Sequence, residues 1–127
     1  MLPPKPIRVL VADSHEMSRY GLRIFLETFD DLELVGEAQE EEIEILRMCA
    51  QRQPDIVLIS LNRKSKNGLY TIRTLREQFP RIRVIALSTS RLLEDLVRAI
   101  EAGASGYLLK DEVELSGIAA VIREVAR

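Results

Sequence analysis

Short apolar runs alternate along this chain with longer stretches in which apolar residues recur every three or four positions. The runs at 7–12, 32–37, 56–61, 83–87 and 106–109 are brief and mostly rich in Val, Ile or Leu, and they predict strands. Helical spacing fills the gaps. It covers 17–29, with Leu22, Phe25, Leu26 and Phe29 on one face, then 40–52, then 68–79, with Ile72, Leu75, Arg76 and Phe79, then 92–102 and 112–127. Five repeats of strand then helix predict an α/β fold: right-handed crossovers and a parallel sheet covered on both faces. Boundary chemistry agrees. Glu40, Glu41 and Glu42 crowd one helix start, where carboxylates suit the positive end of the helix dipole, and Pro80 and Gly103 follow the ends of two others.

In open parallel sheets, chemistry gathers at the carboxyl ends of the strands, beside the point where strand order reverses. Those ends carry Asp13-Ser14, Ser60, Ser88-Thr89 and Lys110, which are expected to converge on one crevice. With 127 residues the chain is the size of one domain, and 46% hydrophobic with 30% charged residues is the balance of a folded globular protein. A formal charge of -2 supplies no basic field to draw it to DNA or to an anionic membrane. The single Cys49 sits at helical spacing from Ile45 and Leu46 and reads as a buried apolar residue. No disulfide framework is suggested, and cytoplasmic localisation is the expectation. Residues 1–6 read as a flexible lead-in, and no run approaches the roughly 18 apolar residues of a membrane span.

Three segments carry a resemblance: 7–12 followed by Asp13-Ser14-His15, 54–61, and 102–111, which ends in Lys110-Asp111. Together and in register they resemble the response-regulator receiver domain of two-component signalling, in particular its NarL-type branch. The resemblance implies a doubly wound, CheY-like (flavodoxin-like) (βα)5 fold over residues 1–127, with strand order 2-1-3-4-5. It also implies an acid pair after the first strand, a phosphate-accepting aspartate ending the third, a hydroxyl residue ending the fourth and a lysine ending the fifth. Members of that branch usually carry a LuxR-type helix-turn-helix after the receiver, so a DNA-binding domain is expected outside this chain.

The departures lie in the chemistry. The acceptor position holds Ser60, and the second acid of the pair has become Ser14. Magnesium wants hard carboxylate oxygens, and only Asp13 and a backbone carbonyl near Asn62 remain to serve. Mg2+ binding is expected to be weak or absent, with no metal or other cofactor. A serine hydroxyl is a poor phosphoryl acceptor without a base, and Asp13 is expected to pair with Lys110. By the resemblance, Ser88 and Tyr107 occupy the positions of a hydroxyl and an aromatic that move together. Their own chemistry fits equally a satisfied strand end and half-buried packing. Lone His15 has no second His or Cys at ligand spacing.

Two surfaces carry further expectations. Arg63, Lys64 and Lys66 follow Ser60 in a loop that would suit an anionic ligand over the emptied pocket, or simply face solvent. Leu92 and Leu93 open the fourth helix, where Leu96, Val97 and Ile100 are expected to form the core-facing stripe. Extra leucines there suggest a contact surface centred on Leu92, Leu93 and Leu96. The sequence thus reads as an atypical, non-enzymatic receiver that regulates transcription through a protein partner or a homodimer. The alternative is a sensor of a small anionic ligand gripped by Arg63, Lys64, Lys66 and Lys110.

Overall fold

The computed structural model describes residues 5–62 and 67–127. Its elements run β1 (Ile7–Ala12), α1 (Glu16–Glu27), β2 (Leu32–Ala38), α2 (Glu42–Arg52), β3 (Ile56–Ser60), α3 (Asn67–Gln78), β4 (Arg83–Ser88), α4 (Leu93–Ala102), β5 (Gly106–Leu109) and α5 (Leu115–Val125). All strand pairs are parallel, in the order β2-β1-β3-β4-β5. This is the doubly wound, CheY-like flavodoxin fold, and its order reverses at β1, so the switch point lies between the neighbouring strands β1 and β3.

Each central strand feeds two cores, because successive side chains point to opposite faces. Leu10, Ala12, Val57, Ile59, Val84 and Ala86 face one way and pack with Ile45, Cys49, Ile72, Leu75, Ala99 and Ala102 from α2, α3 and α4. Val9, Val11, Ile56, Leu58, Ile85 and Leu87 face the other, against Leu22, Phe25 and Leu26 of α1 and Ile118, Ala119 and Ile122 of α5. Burial on both faces explains the near-continuous apolar runs. Full burial of one such Leu or Ile contributes about 1.5–3 kcal/mol.

The structure corrects the sequence reading at three helices. On α4, Val97 and Ile100 are not core-facing: both are exposed, with Leu92 and Leu93, while Ala99 and Ala102 are buried and Leu96 is half-buried. The small residues Ala99 and Ala102 occupy the buried face of α4, and its large side chains Leu93, Val97 and Ile100 lie on the exposed one. On α3, Arg76 lies exposed, and Thr71, Ile72 and Leu75 form the buried face. The last helix starts at Leu115 rather than 112, because the Glu112 and Val113 amides both donate to the Leu109 carbonyl and close a turn first. Among the described residues, no helix is long and apolar enough to cross a membrane.

Candidate functional site

Four of the chemistry-bearing positions stand at the carboxyl edge of the sheet, where β1, β3, β4 and β5 end. Asp13 is the centre. Its side chain is 2% exposed, and four donors surround its carboxylate. Oδ2 accepts from Ser60 Oγ at 2.8 Å, Ser18 Oγ at 2.5 Å and Lys110 Nζ at 2.8 Å, while Oδ1 accepts from the His15 amide at 2.8 Å. Burial by itself would raise the Asp13 pKa. The bonds from Lys110, Ser18, the His15 amide and Ser60 outweigh it and hold the carboxyl below its ordinary value. Asp13 is therefore an anion that is fully hydrogen-bonded and paired with one ammonium.

The flanks hold this centre in place. The Asp13 amide donates to Ala38 O at 3.0 Å, and Asp13 O accepts from Arg19 Nη1 at 2.6 Å. Arg19 and Arg23 both reach Glu37 near the end of β2, the latter through two bonds of 2.8 and 3.1 Å. Helix α1 is thus tied to two strands at the end that carries Ser18. Ser14 and His15 are exposed, and neither side chain joins the cluster.

A second chain of bonds leads from Lys110 toward α4. The Lys110 amide donates to Ser88 O at 2.7 Å, and the buried Ser88 Oγ accepts from the Ser90 amide at 3.0 Å. Ser90 O in turn accepts from Tyr107 Oη at 3.1 Å. Ser90 Oγ donates to Asp95 and accepts from the Leu92 amide, which fixes the start of α4. Arg91 pairs with Asp111 and Glu112 across the loop after β5. Ser88, Tyr107 and Lys110 are thereby joined through backbone groups.

The donor set does not fit a resident divalent metal. Among the described residues, no group of three or more His, Cys, Asp or Glu side chains stands in an arrangement that could hold a metal ion. Asp13 is already coordinated by protein donors, and Glu37 near the end of β2 is paired with Arg19 and Arg23. Beside Ser60 a cavity of about 10 Å3, lined by Ala12, Gln39, Glu40, Ile59, Asn62 and Gly68, has room for about one water. Arg63, Lys64 and Lys66 lie outside the described residues.

Sequence reasoning missed Ser18, Arg19, Ser90 and Arg91. Ser18 carries no signature, because a serine five residues after a strand-end aspartate joins the site only once α1 has docked. Arg19 depends on Glu37 of β2, and Arg91 on the turn after β5, so both are products of long-range pairing.

The profile of the response regulator receiver domain matches residues 9–122. The chain is 38% identical over 105 residues to the transcriptional regulatory protein YhcZ of Bacillus subtilis, covering 83% of this chain and 49% of that protein. It is 37% identical over 107 residues to the nitrate/nitrite response regulator protein NarL of Escherichia coli, covering 84% of this chain and 49% of NarL. The chain spans about half the length of these curated relatives. The signal receiver domain of NarL from Mycobacterium tuberculosis superposes with a TM-score of 0.88 at 25% identity, over 97% of this chain and 98% of that one.

Proposed function

The chain belongs to the response-regulator receiver family, on its NarL/LuxR branch, and from that premise we propose that it is an atypical receiver, not phosphorylated on aspartate, that signals through protein contacts. One observation carries the reading: Ser60 ends β3 with its hydroxyl donating to Asp13, and Lys110 is committed to the same oxygen. A hydroxyl becomes a phosphoryl acceptor only when a base takes its proton. Asp13, held below its ordinary pKa by its hydrogen-bond donors, is a poor base for that proton.

Contact chemistry is concentrated on α4. Leu93, Val97 and Ile100 share one helix face at i, i+4 and i+7, and are 71%, 42% and 48% exposed, with Leu92 beside them at 43%. Such a cluster of large apolar side chains marks a docking face for a protein partner or a second copy. Leu96, three residues after Leu93 and four before Ile100, is half-buried at the margin of that face. In this reading the chain is one receiver unit, and transcription is regulated through a DNA-binding domain outside it, in the cytoplasm. The rival, an anion sensor, would have Lys110 share its ammonium between Asp13 and the ligand.

Incubating the protein with acetyl phosphate and magnesium, then with beryllofluoride, tests the proposal. Intact mass and oligomeric state should not change. A phosphoryl adduct, or dimerisation driven by beryllofluoride, would overturn it.

A further inference from the structure

We propose that Ser18, Ser60 and Lys110 together stand in for a divalent cation, making the site around Asp13 a metal-excluding clasp between α1, β3 and the end of β5. The proposal rests on reading the chain as a receiver without an acceptor aspartate. It goes further by assigning Ser18 and by saying what fills the metal's place.

A carboxylate presents about four lone-pair sites. Here three donors, Ser18, Ser60 and Lys110, crowd Oδ2, more than its two lone pairs, and the His15 amide takes one site on Oδ1. A hard cation reaching Oδ2 would have to displace at least one of its three donors, the second Oδ1 site lies on a residue that is 2% exposed, and the carboxylate's charge is already balanced by Lys110. Such an approach gains little attraction and meets repulsion from the ammonium. The three side-chain donors also come from three different elements: Ser18 lies in α1, Ser60 ends β3, and Lys110 follows β5. By converging on one buried oxygen they fix those elements relative to one another, as a metal bridging several strand ends would. Through the Lys110 amide and Ser88, the same clasp reaches the loop that opens α4. The docking face then needs no metal or phosphoryl group to be held in place.

Melting temperatures of the full chain, with and without millimolar MgCl2 or MnCl2, test this in the wild type, Lys110→Met and Ser18→Ala. The wild type should be indifferent to metal. Lys110→Met should melt about 10 °C lower, since it strands a buried carboxylate, and metal should recover part of that loss by entering the vacated place. Ser18→Ala should melt about 5–10 °C lower. Metal stabilisation of the wild type, a folded Lys110→Met that ignores metal, or a Ser18→Ala that melts like the wild type would each overturn the clasp. If Lys110→Met does not fold, the wild-type titration and Ser18→Ala decide. A phosphoryl adduct on Ser60 would overturn both this inference and the reading beneath it; a metal-stabilised wild type without an adduct would overturn the clasp alone.

Discussion

Replacing Ser60 by Asp exchanges a donor for an acceptor in contact with Asp13, now 2.8 Å from the Ser60 hydroxyl. A hydrogen bond to a charged group contributes about 1.5–3 kcal/mol, and that is lost. Two carboxylates about 4 Å apart at an effective dielectric near 20 repel by about 4 kcal/mol. Lys110, 2.8 Å from the same Asp13 oxygen, attracts the new charge by a similar amount and cancels most of the repulsion. The net expectation is a loss of about 2–3 kcal/mol, or roughly 10 °C in melting temperature for a domain of this size. Ser60→Asn is the control, because its amide keeps a donor for Asp13 without adding charge, and it should stay within about 1 kcal/mol of the wild type. Urea melts of the three proteins at pH 7, free of divalent ions, measure the difference. The close pair of carboxyls in Ser60→Asp raises the pKa of one of them, so the gap from Ser60→Asn should narrow as the pH falls toward about 4. If Ser60→Asp equals or exceeds Ser60→Asn in stability at pH 7, the pocket accommodates a second carboxylate without metal, and the account of a self-neutralised site fails.

Asp13→Asn should cost about 3 kcal/mol at neutral pH, because Lys110 loses the charge it is built against. The folded-state pKa of Asp13 is depressed, so its contribution is complete above the unfolded pKa and is lost as the pH falls through the folded value. Urea melts from pH 6 to 2 should therefore fall less steeply for Asp13→Asn than for the wild type, and parallel profiles would contradict the assignment. Gly103→Ala should destabilise by about 2 kcal/mol, since Gly103 caps α4 at φ 124 and a Cβ there would stand 2.5 Å from Arg76 Cδ and 3.1 Å from Arg76 Cβ. Shortening Arg76 to Ala in the same chain should recover only the steric share, about 0.5–1 kcal/mol by double-mutant cycle, and leave the backbone strain.

The five strands and five helices were legible because burial on both sides of a parallel sheet imposes local patterns: continuous apolar runs such as 56–59, and three-to-four spacing such as Leu22, Phe25 and Leu26. Element ends were less so. The turn that delays α5 to Leu115 depends on backbone bonds to Leu109, which no side-chain pattern announces. On α4, ranking residues by apolar size assigned Val97 and Ile100 to the core. The tertiary structure instead buries Ala99 and Ala102, so the small residues of α4, not its large ones, face the core.

What the sequence determined by itself is the order of elements and the identity of the groups at the strand ends, with Ser60 where an aspartate was expected and Asp13 and Lys110 retained. Those follow from periodicity and position, which are properties of neighbouring residues. Only the tertiary structure decided what these groups do to one another. Asp13 and Lys110 are separated by nearly the whole chain, and it took parallel pairing to bring them to 2.8 Å. The docking of α1 added Ser18, so that one oxygen of a buried carboxylate is held by three side-chain donors from within the protein.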